Sequence, residues 1–300
     1  MAPGRHTTDA IWRSVVRQEI SEPGTMHVEW NWDLQKAFDF VNRKILWGKA
    51  RAAGYPMNSL ATALVSYGWG RRFILNREVS KEIRSGRGIA AGSPFAPYEL
   101  AVYLDGLIDM VRAWNVEQAR QKSGLRATLS IHVDDISVCI SGTSSRAIAH
   151  AAGSLARSLA AHVTELGMKL DLGDKAFLMA SSDDLLVAAK AAMGVLGGSA
   201  VQAVRKLGVD YAISARGKKN RKVRAARAAS GRARWRRLCK LGLKNQGTRL
   251  VYAGILPHTT FGAALHAPAK ADVATAQVMM GGVGLTKTFG HLVQLGAGGG

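Results

Sequence analysis

The chain has 300 residues, 47% of them hydrophobic and 21% charged, a composition that folds around a core rather than staying disordered. Its 41 Lys and Arg against 21 Asp and Glu leave a formal charge of +20, far beyond what solubility requires, which points to a polyanionic partner. The most apolar helix candidate, residues 100–111, is interrupted by Asp105 and Asp109, so no stretch reaches the length of a membrane span and no membrane partner is expected. The start, Met-Ala-Pro-Gly-Arg-His, has no apolar signal core, and Cys139 and Cys239 lie far apart, which excludes a disulfide framework and a zinc knuckle.

In chain order, a short apolar strand is expected over residues 30–37, running into Asp33. Val41, Ile45, Leu46 and Ala50 then fit one face of a helix over 41–53, stopped by Gly54 and Pro56. Asp39 falls where that helix needs an N-cap, and Asn58 reads as the N-cap of the next. Residues 72–76 and 79–83 read as a hairpin, 86–92 as a glycine-bearing loop, and 94–114 as one long helix with proline in its first turn. Residues 127–133 and 136–140 are apolar strands joined by Asp134-Asp135, the composition of a tight hairpin with both carboxylates at its tip. Over 145–166, Ile148, Ala152, Leu155, Leu159, Val163 and Leu166 share one side of a helix, and 168–172 and 176–179 read as short strands. There is no internal repeat; the low-complexity segments are alanine-rich helices and the terminal Gly-Ala-Gly-Gly-Gly.

The charge is unevenly spread. Between Arg205 and Arg249 there are 16 Lys or Arg against one acid, Asp210. A solvated basic tail is one reading. Trp235, Leu238, Leu241, Leu243, Leu250 and Val251, however, recur at roughly helical intervals, which a tail does not need, so basic helices lying along nucleic acid are the favoured reading.

A strand with an acid, a helix, a hairpin with two acids, a helix and a strand describe an α+β fold, an antiparallel sheet with helices on one face. If the strand carrying Asp33 neighbours the hairpin, three carboxylates converge where their repulsion is tolerable only with cations between them. Oxygen ligands suit Mg²⁺ or Mn²⁺, and two such ions would serve phosphoryl transfer. Taken singly, Asp33 also reads as a strand-end acid and Asp134-Asp135 as a turn.

Five segments stand in one order: Asp33-Leu34-Gln35-Lys36-Ala37-Phe38-Asp39; Arg87-Gly88-Ile89-Ala90-Ala91-Gly92-Ser93-Pro94-Phe95-Ala96-Pro97; Ile131-His132-Val133-Asp134-Asp135; Gly167-Met168-Lys169-Leu170-Asp171 with Lys175; and Arg205-Lys206-Leu207-Gly208-Val209. Together they resemble the palm of a reverse transcriptase, especially of the non-LTR retrotransposon type. The similarity covers residues 30–210 with motifs and continues less specifically through a basic, thumb-like region to about residue 265. It implies a division into residues 1–29, a fingers remnant or irregular N-terminus; 30–210, a palm with an inserted fingers-like hairpin (71–92); 211–265, the basic helical thumb; and 266–300, a tail.

The resemblance makes Asp33, Asp134 and Asp135 the ligands of two Mg²⁺ or Mn²⁺ ions, with Asp135 the weaker member. Lys175 becomes the general acid for the departing pyrophosphate, although exposed lysines are common. Leu34, Phe38, Gly92, Ser93 and Pro94 become nucleotide-binding. Phe38, five residues after Asp33, falls where the family places a bulky side chain that excludes a 2′-hydroxyl; an aromatic packing behind the strand reads equally well. Gly88 and Gly92 let the backbone approach a base pair. His132, Leu207, Gly208, Lys218, Lys219, Arg221, Arg224, Arg232 and Arg236 become nucleic-acid-binding, while His132 also reads as a core histidine and Trp235 as buried between helices. The implied partners are an RNA template, a DNA primer or their heteroduplex, and dNTPs.

The sequence also departs from the family's pattern. Ala91 stands where a glutamine is common, His132-Val133 where an aromatic and a small residue usually precede the acids, and about thirty residues precede Asp33, fewer than a fingers subdomain needs, so a truncated chain is expected. An RNA-directed DNA polymerase, a catalytically silent nucleic-acid-binding remnant of a retroelement, and an RNA-dependent RNA polymerase all stay open. So does localisation: Lys218-Lys219-Asn220-Arg221-Lys222 has the composition of a nuclear import signal, but in a nucleic-acid-binding helix needs no second role.

Overall fold

Strand β1 (Met26–Leu34) alternates Val28, Trp30, Trp32 and Leu34 with His27, Glu29, Asn31 and Asp33, and all eight are buried. The period of two puts apolar side chains on one face of the sheet and polar ones on the other. The computed structural model describes residues 7–214, 222–241, 249–261 and 273–274. The described residues fall into two compact units, one over Gln18–Gln202, the other combining residues 7–17 with the described residues from Ala203 onward.

In the first unit β1 is central. It pairs antiparallel with β5 (Asp135–Gly142), with β6 (Leu170–Asp171) and with β7 (Phe177–Ala180), while β4 (Arg126–His132) flanks β5. The strand order is β4-β5-β1-β7-β8, and β8 (Ser199–Ala200) runs parallel to β7. The fold is therefore α+β as expected, but its sheet is mixed rather than purely antiparallel. The strand of residues 30–37 starts earlier, at Met26, and ends at Leu34.

The apolar face carries the core. Val28, Trp30, Trp32 and Leu34 join one buried cluster with residues of α3 (Arg43–Ala52), α4 (Met57–Tyr67), α5 (Ala96–Tyr103), α6 (Asp105–Arg120), α7 (Ser145–Glu165) and α8 (Asp183–Met193). Burial of such aliphatic and aromatic side chains, roughly 1.5–3 kcal/mol each, is the main stabilising contribution. The predicted helix over 145–166 is α7, with Ser144 accepting the Ala147 N–H as N-cap.

Other expectations are corrected. Asp39 does not cap the helix after Val41; it lies inside a one-turn helix, α2 (Ala37–Phe40), while Asn42, extended at φ −80° and ψ 111°, accepts the N–H groups of Lys44 and Ile45. Only an extended residue can aim its side chain back at those donors. Asn58 is inside α4, whose N-cap is Pro56. The helix expected over 94–114 is two helices meeting at Leu104, and the second runs on to Arg120. The break sets Asp105 against Lys49 of α3 at 2.9 Å, and Gly106 leaves room for the His162 ring. The predicted hairpin shrinks to β2 (Ile74–Leu75) and β3 (Glu78–Val79), extended by a bridge between Arg71 and Ile83.

In the second unit β9 (Val204–Lys206) and β10 (Val209–Tyr211) form a hairpin turning at Leu207-Gly208, both at positive φ. The basic stretch forms α9 (Lys222–Lys240), followed by a π-helical turn (Val251–Ile255) and α10 (Leu256–Thr260). Asp210, the lone acid of that stretch, accepts the N–H groups of Val223 and Arg224 at 2.9 and 3.0 Å and so caps the helix. Ala228, Gly231 and Leu238 are buried and Trp235 is half-buried; the expected apolar positions Leu241 and Leu250 are exposed instead. Among the described residues no helix is long and apolar enough to cross a membrane.

Candidate functional site

The acids meet at one end of the sheet because of strand register. Asp33 of β1 stands opposite Asp135 of β5 and Asp171 of β6. Directly opposed residues in an antiparallel pair share a face with their Cβ atoms about 5 Å apart. The β4–β5 connection has two residues, Val133 and Asp134, closed by the pair His132 and Asp135. Asp134 therefore sits in the turn, whereas Asp135 belongs to the strand rather than to the tip. Val133 has φ +59°, a conformation that a β-branched residue adopts only under strain. The Leu34 N–H donates to the Asp134 carbonyl at 3.1 Å, tying this turn to the end of β1.

Each carboxylate has a different partner. Asp33, nearly buried, receives the Lys175 ammonium on Oδ2 at 2.7 Å, while Lys175 itself is largely exposed. The Ser137 hydroxyl donates to Asn31 Oδ1 at 2.6 Å, and the Asn31 amide faces Asp135 Oδ1 at 3.4 Å. Burial, the largest cause, pushes the Asp135 carboxyl above the usual carboxylate range; the negative charges of Asp134 and Asp33 push the same way, while the Asn31 amide and His132 oppose them. The Lys175 ammonium is held above its ordinary value by its hydrogen bond and charge attraction to Asp33. Asp171 is occupied locally, accepting the Gly173 N–H at 3.0 Å.

The glycine loop is docked on the segment that follows β1. Gly88 donates to the Val41 carbonyl at 2.8 Å and Ile89 to the Phe38 carbonyl at 2.9 Å. Gly88 has φ +85°, and a Cβ there would stand 2.9–3.0 Å from the backbone of Phe38 and Asp39, so only glycine permits the contact. Arg43 braces the loop, donating to the carbonyls of Gly88 (2.8 Å), Ser85 (2.9 Å), Tyr67 (2.9 Å) and Arg87 (3.3 Å). Further on, the Tyr67 hydroxyl lies 3.1 Å from Ser93 Oγ and 3.0 Å from Glu99 Oε2; Glu99 is fully buried, and that burial raises its carboxyl above the ordinary value.

The structure thus brings together Asp33, Asp134, Asp135, His132 and Lys175, with Phe38 tied to the Gly88 loop. Phe38 is half-buried and packs against the core. Gly92 (φ +92°) and Pro94 are exposed, and Ser93 is half-buried. Leu34 has its side chain in the core and its N–H committed to the Asp134 carbonyl. His132 is half-buried and stands opposite Asp135 at the sheet end. In the second unit Leu207 and Gly208 form the hairpin turn, Arg232 and Arg236 are exposed, and Arg224 is half-buried near the start of α9. Lys218, Lys219 and Arg221 lie outside the described residues.

Sequence reasoning missed Arg43, Asn31 and Glu99. The alternation in Trp30-Asn31-Trp32-Asp33 carries a signal for Asn31, since a period of two puts it on the face of Asp33. Nothing local marks Arg43, whose four acceptors are distant in sequence.

The donor chemistry at the sheet end, hard carboxylate oxygens, suits Mg²⁺. Among the described residues, however, no group of three His, Cys, Asp or Glu side chains is closed around a metal position, and the cation nearest Asp33 is Lys175. Compared with models of known protein families the chain matches none, and no curated protein matches it.

Proposed function

We propose that this chain is an RNA-directed DNA polymerase domain, a palm followed by a basic thumb, that extends a primer 3′-hydroxyl with dNTPs. The observation that carries the reading is the register Asp33 opposite Asp135, with Asp134 in the adjoining turn and Lys175 at 2.7 Å from Asp33. Carboxylates crowded in this way, one of them with a raised pKa, suit a site that awaits cations.

Asp33, Asp134 and Asp135 are the residues that would hold two Mg²⁺ ions. When bound, such ions supply activation of the attacking hydroxyl and neutralisation of the leaving pyrophosphate. Lys175, kept protonated by Asp33, would donate its proton to the pyrophosphate oxygen. Phe38, held by the Ile89 N–H bond to its carbonyl, would exclude a 2′-hydroxyl, and Gly92 at positive φ would let the backbone approach the nascent base pair. Arg232 and Arg236 would engage phosphates.

One observation favours a second reading, a nucleic-acid-binding remnant without catalysis: the described carboxylates are not closed around a metal position. Templated incorporation by the full chain with Mg²⁺, dNTPs and an RNA template separates the two. The polymerase reading expects incorporation that Asp33→Asn abolishes, and a preference for dNTPs over rNTPs that Phe38→Ala relaxes by roughly 10- to 100-fold. An RNA polymerase would instead use rNTPs from the outset.

A further inference from the structure

We propose that the hairpin between α4 and α5 is a binding element for single-stranded nucleic acid. Trp69, Phe73, Ile74, Leu75, Val79 and Ile83 are each more than half exposed. A monomeric protein rarely leaves so many large apolar side chains together in solvent. The ribbon has only two strands, with Ile74 opposite Val79 on one side and Phe73 and Leu75 on the other, so both sides are open. It turns at Asn76 and Arg77, both at positive φ.

A two-stranded ribbon is marginally stable alone, and this one is anchored at its base. Arg43 holds the Tyr67 and Ser85 carbonyls on either side, Arg71 and Ile83 exchange backbone hydrogen bonds of 2.9 and 2.8 Å, and Ser80 Oγ accepts the Phe73 N–H at 2.9 Å. The aromatic groups are therefore presented on a braced arm.

Charge selects the occupant. Residues 69–87 hold six Lys or Arg against two acids. Glu82 is taken by Arg84 at 2.6 Å and Arg72 at 4.0 Å, while Arg71, Arg77 and Lys81 have no acid partner among the described residues. An apolar protein face laid here would bury those cations unpaired, and a second copy of a +20 chain is repelled. A single strand satisfies both components, with phosphates on the cations and bases stacked on Trp69 and Phe73. The inference concerns binding alone and stands whether or not the carboxylates catalyse.

The test uses the full chain and a labelled oligo-uridine, with binding followed by anisotropy over a range of salt and folding checked by circular dichroism. Trp69→Ser with Phe73→Ser is expected to weaken single-strand binding about tenfold at unchanged salt slope, leaving duplex binding intact. Arg71→Gln with Arg77→Gln and Lys81→Gln is expected to lower the magnitude of the salt slope by about 2. Wild-type single-strand binding by both variants overturns the proposal. So does equal loss on single strand and duplex by the aromatic variant, or a change in sedimentation state with oligo-uridine binding untouched.

Discussion

The acidic end of the sheet and the basic helix α9 both concentrate charge of one sign, and the fold treats them differently. Asp33 is nearly buried, fixed by register opposite Asp135 and Asp171, and answered by Lys175 at 2.7 Å. On α9, Arg232, Arg234, Arg236 and Arg237 project into solvent from a helix whose buried side is Ala228, Gly231 and Leu238. Buried charge demands specific partners because the low-dielectric surroundings leave its repulsion unscreened, whereas exposed charge is screened and interchangeable. The first region should therefore respond sharply to single changes, and the second only gradually.

The largest structural effect is expected at the glycine loop that packs on the segment following β1. Gly88→Ala places a Cβ against the backbone of Phe38 and Asp39 at positive φ, and urea denaturation should show a loss of about 2–3 kcal/mol. Lys175→Ala comes next, leaving Asp33 without its cation; the expected cost is at most about 1 kcal/mol because Lys175 is mostly exposed. The raised ammonium pKa sets the sign: the ion pair's contribution is complete below the ordinary value of 10.5 and is lost as pH rises through the folded value, so wild type and variant should converge only in strong alkali.

Asp135→Asn should do the opposite and stabilise the protein slightly, since the amide oxygen can still face Asn31 while the repulsion from Asp33 and Asp134 is removed. The Asp135 carboxyl is raised in the fold, so the wild type loses stability as pH climbs from its unfolded value of 3.8 through the raised one. The gain of the variant should be full above the raised value and vanish below about pH 4, as thermal unfolding across pH would reveal. The smallest effects belong to α9. Arg232→Gln and Arg236→Gln should each lower the magnitude of the salt slope of heteroduplex binding by roughly 1 or less, without changing stability. A loss of binding from either alone would break the contrast between the two regions.

Legibility in the sequence follows the same division. The strands β1 and β5, read as short apolar runs, the stripe of α7 and the two-acid turn were readable because an apolar run or a period of 3.6 needs no distant information. The convergence of Asp33 with Asp135 followed from expecting their strands to be neighbours. The caps at Asp39 and Asn58 were misread because several polar residues compete at each helix start and backbone dihedrals decide among them. The break at Leu104 shows itself only in contacts with Lys49 and His162, residues distant in sequence, and β8 is two residues, Ser199 and Ala200, with no pattern to find. Asp210 was visible as the lone acid of the basic stretch, but its use as the cap of α9 is tertiary.

Primer extension on an RNA template, with Asp134→Ala beside the wild type and heteroduplex binding measured in parallel, tests the central claim most directly. The polymerase account predicts Mg²⁺-dependent incorporation by the wild type, a fall of about 10³-fold or more in the variant, and equal binding by both. No incorporation by the wild type, with heteroduplex bound equally by the two proteins, would contradict it and leave a protein that holds nucleic acid without copying it.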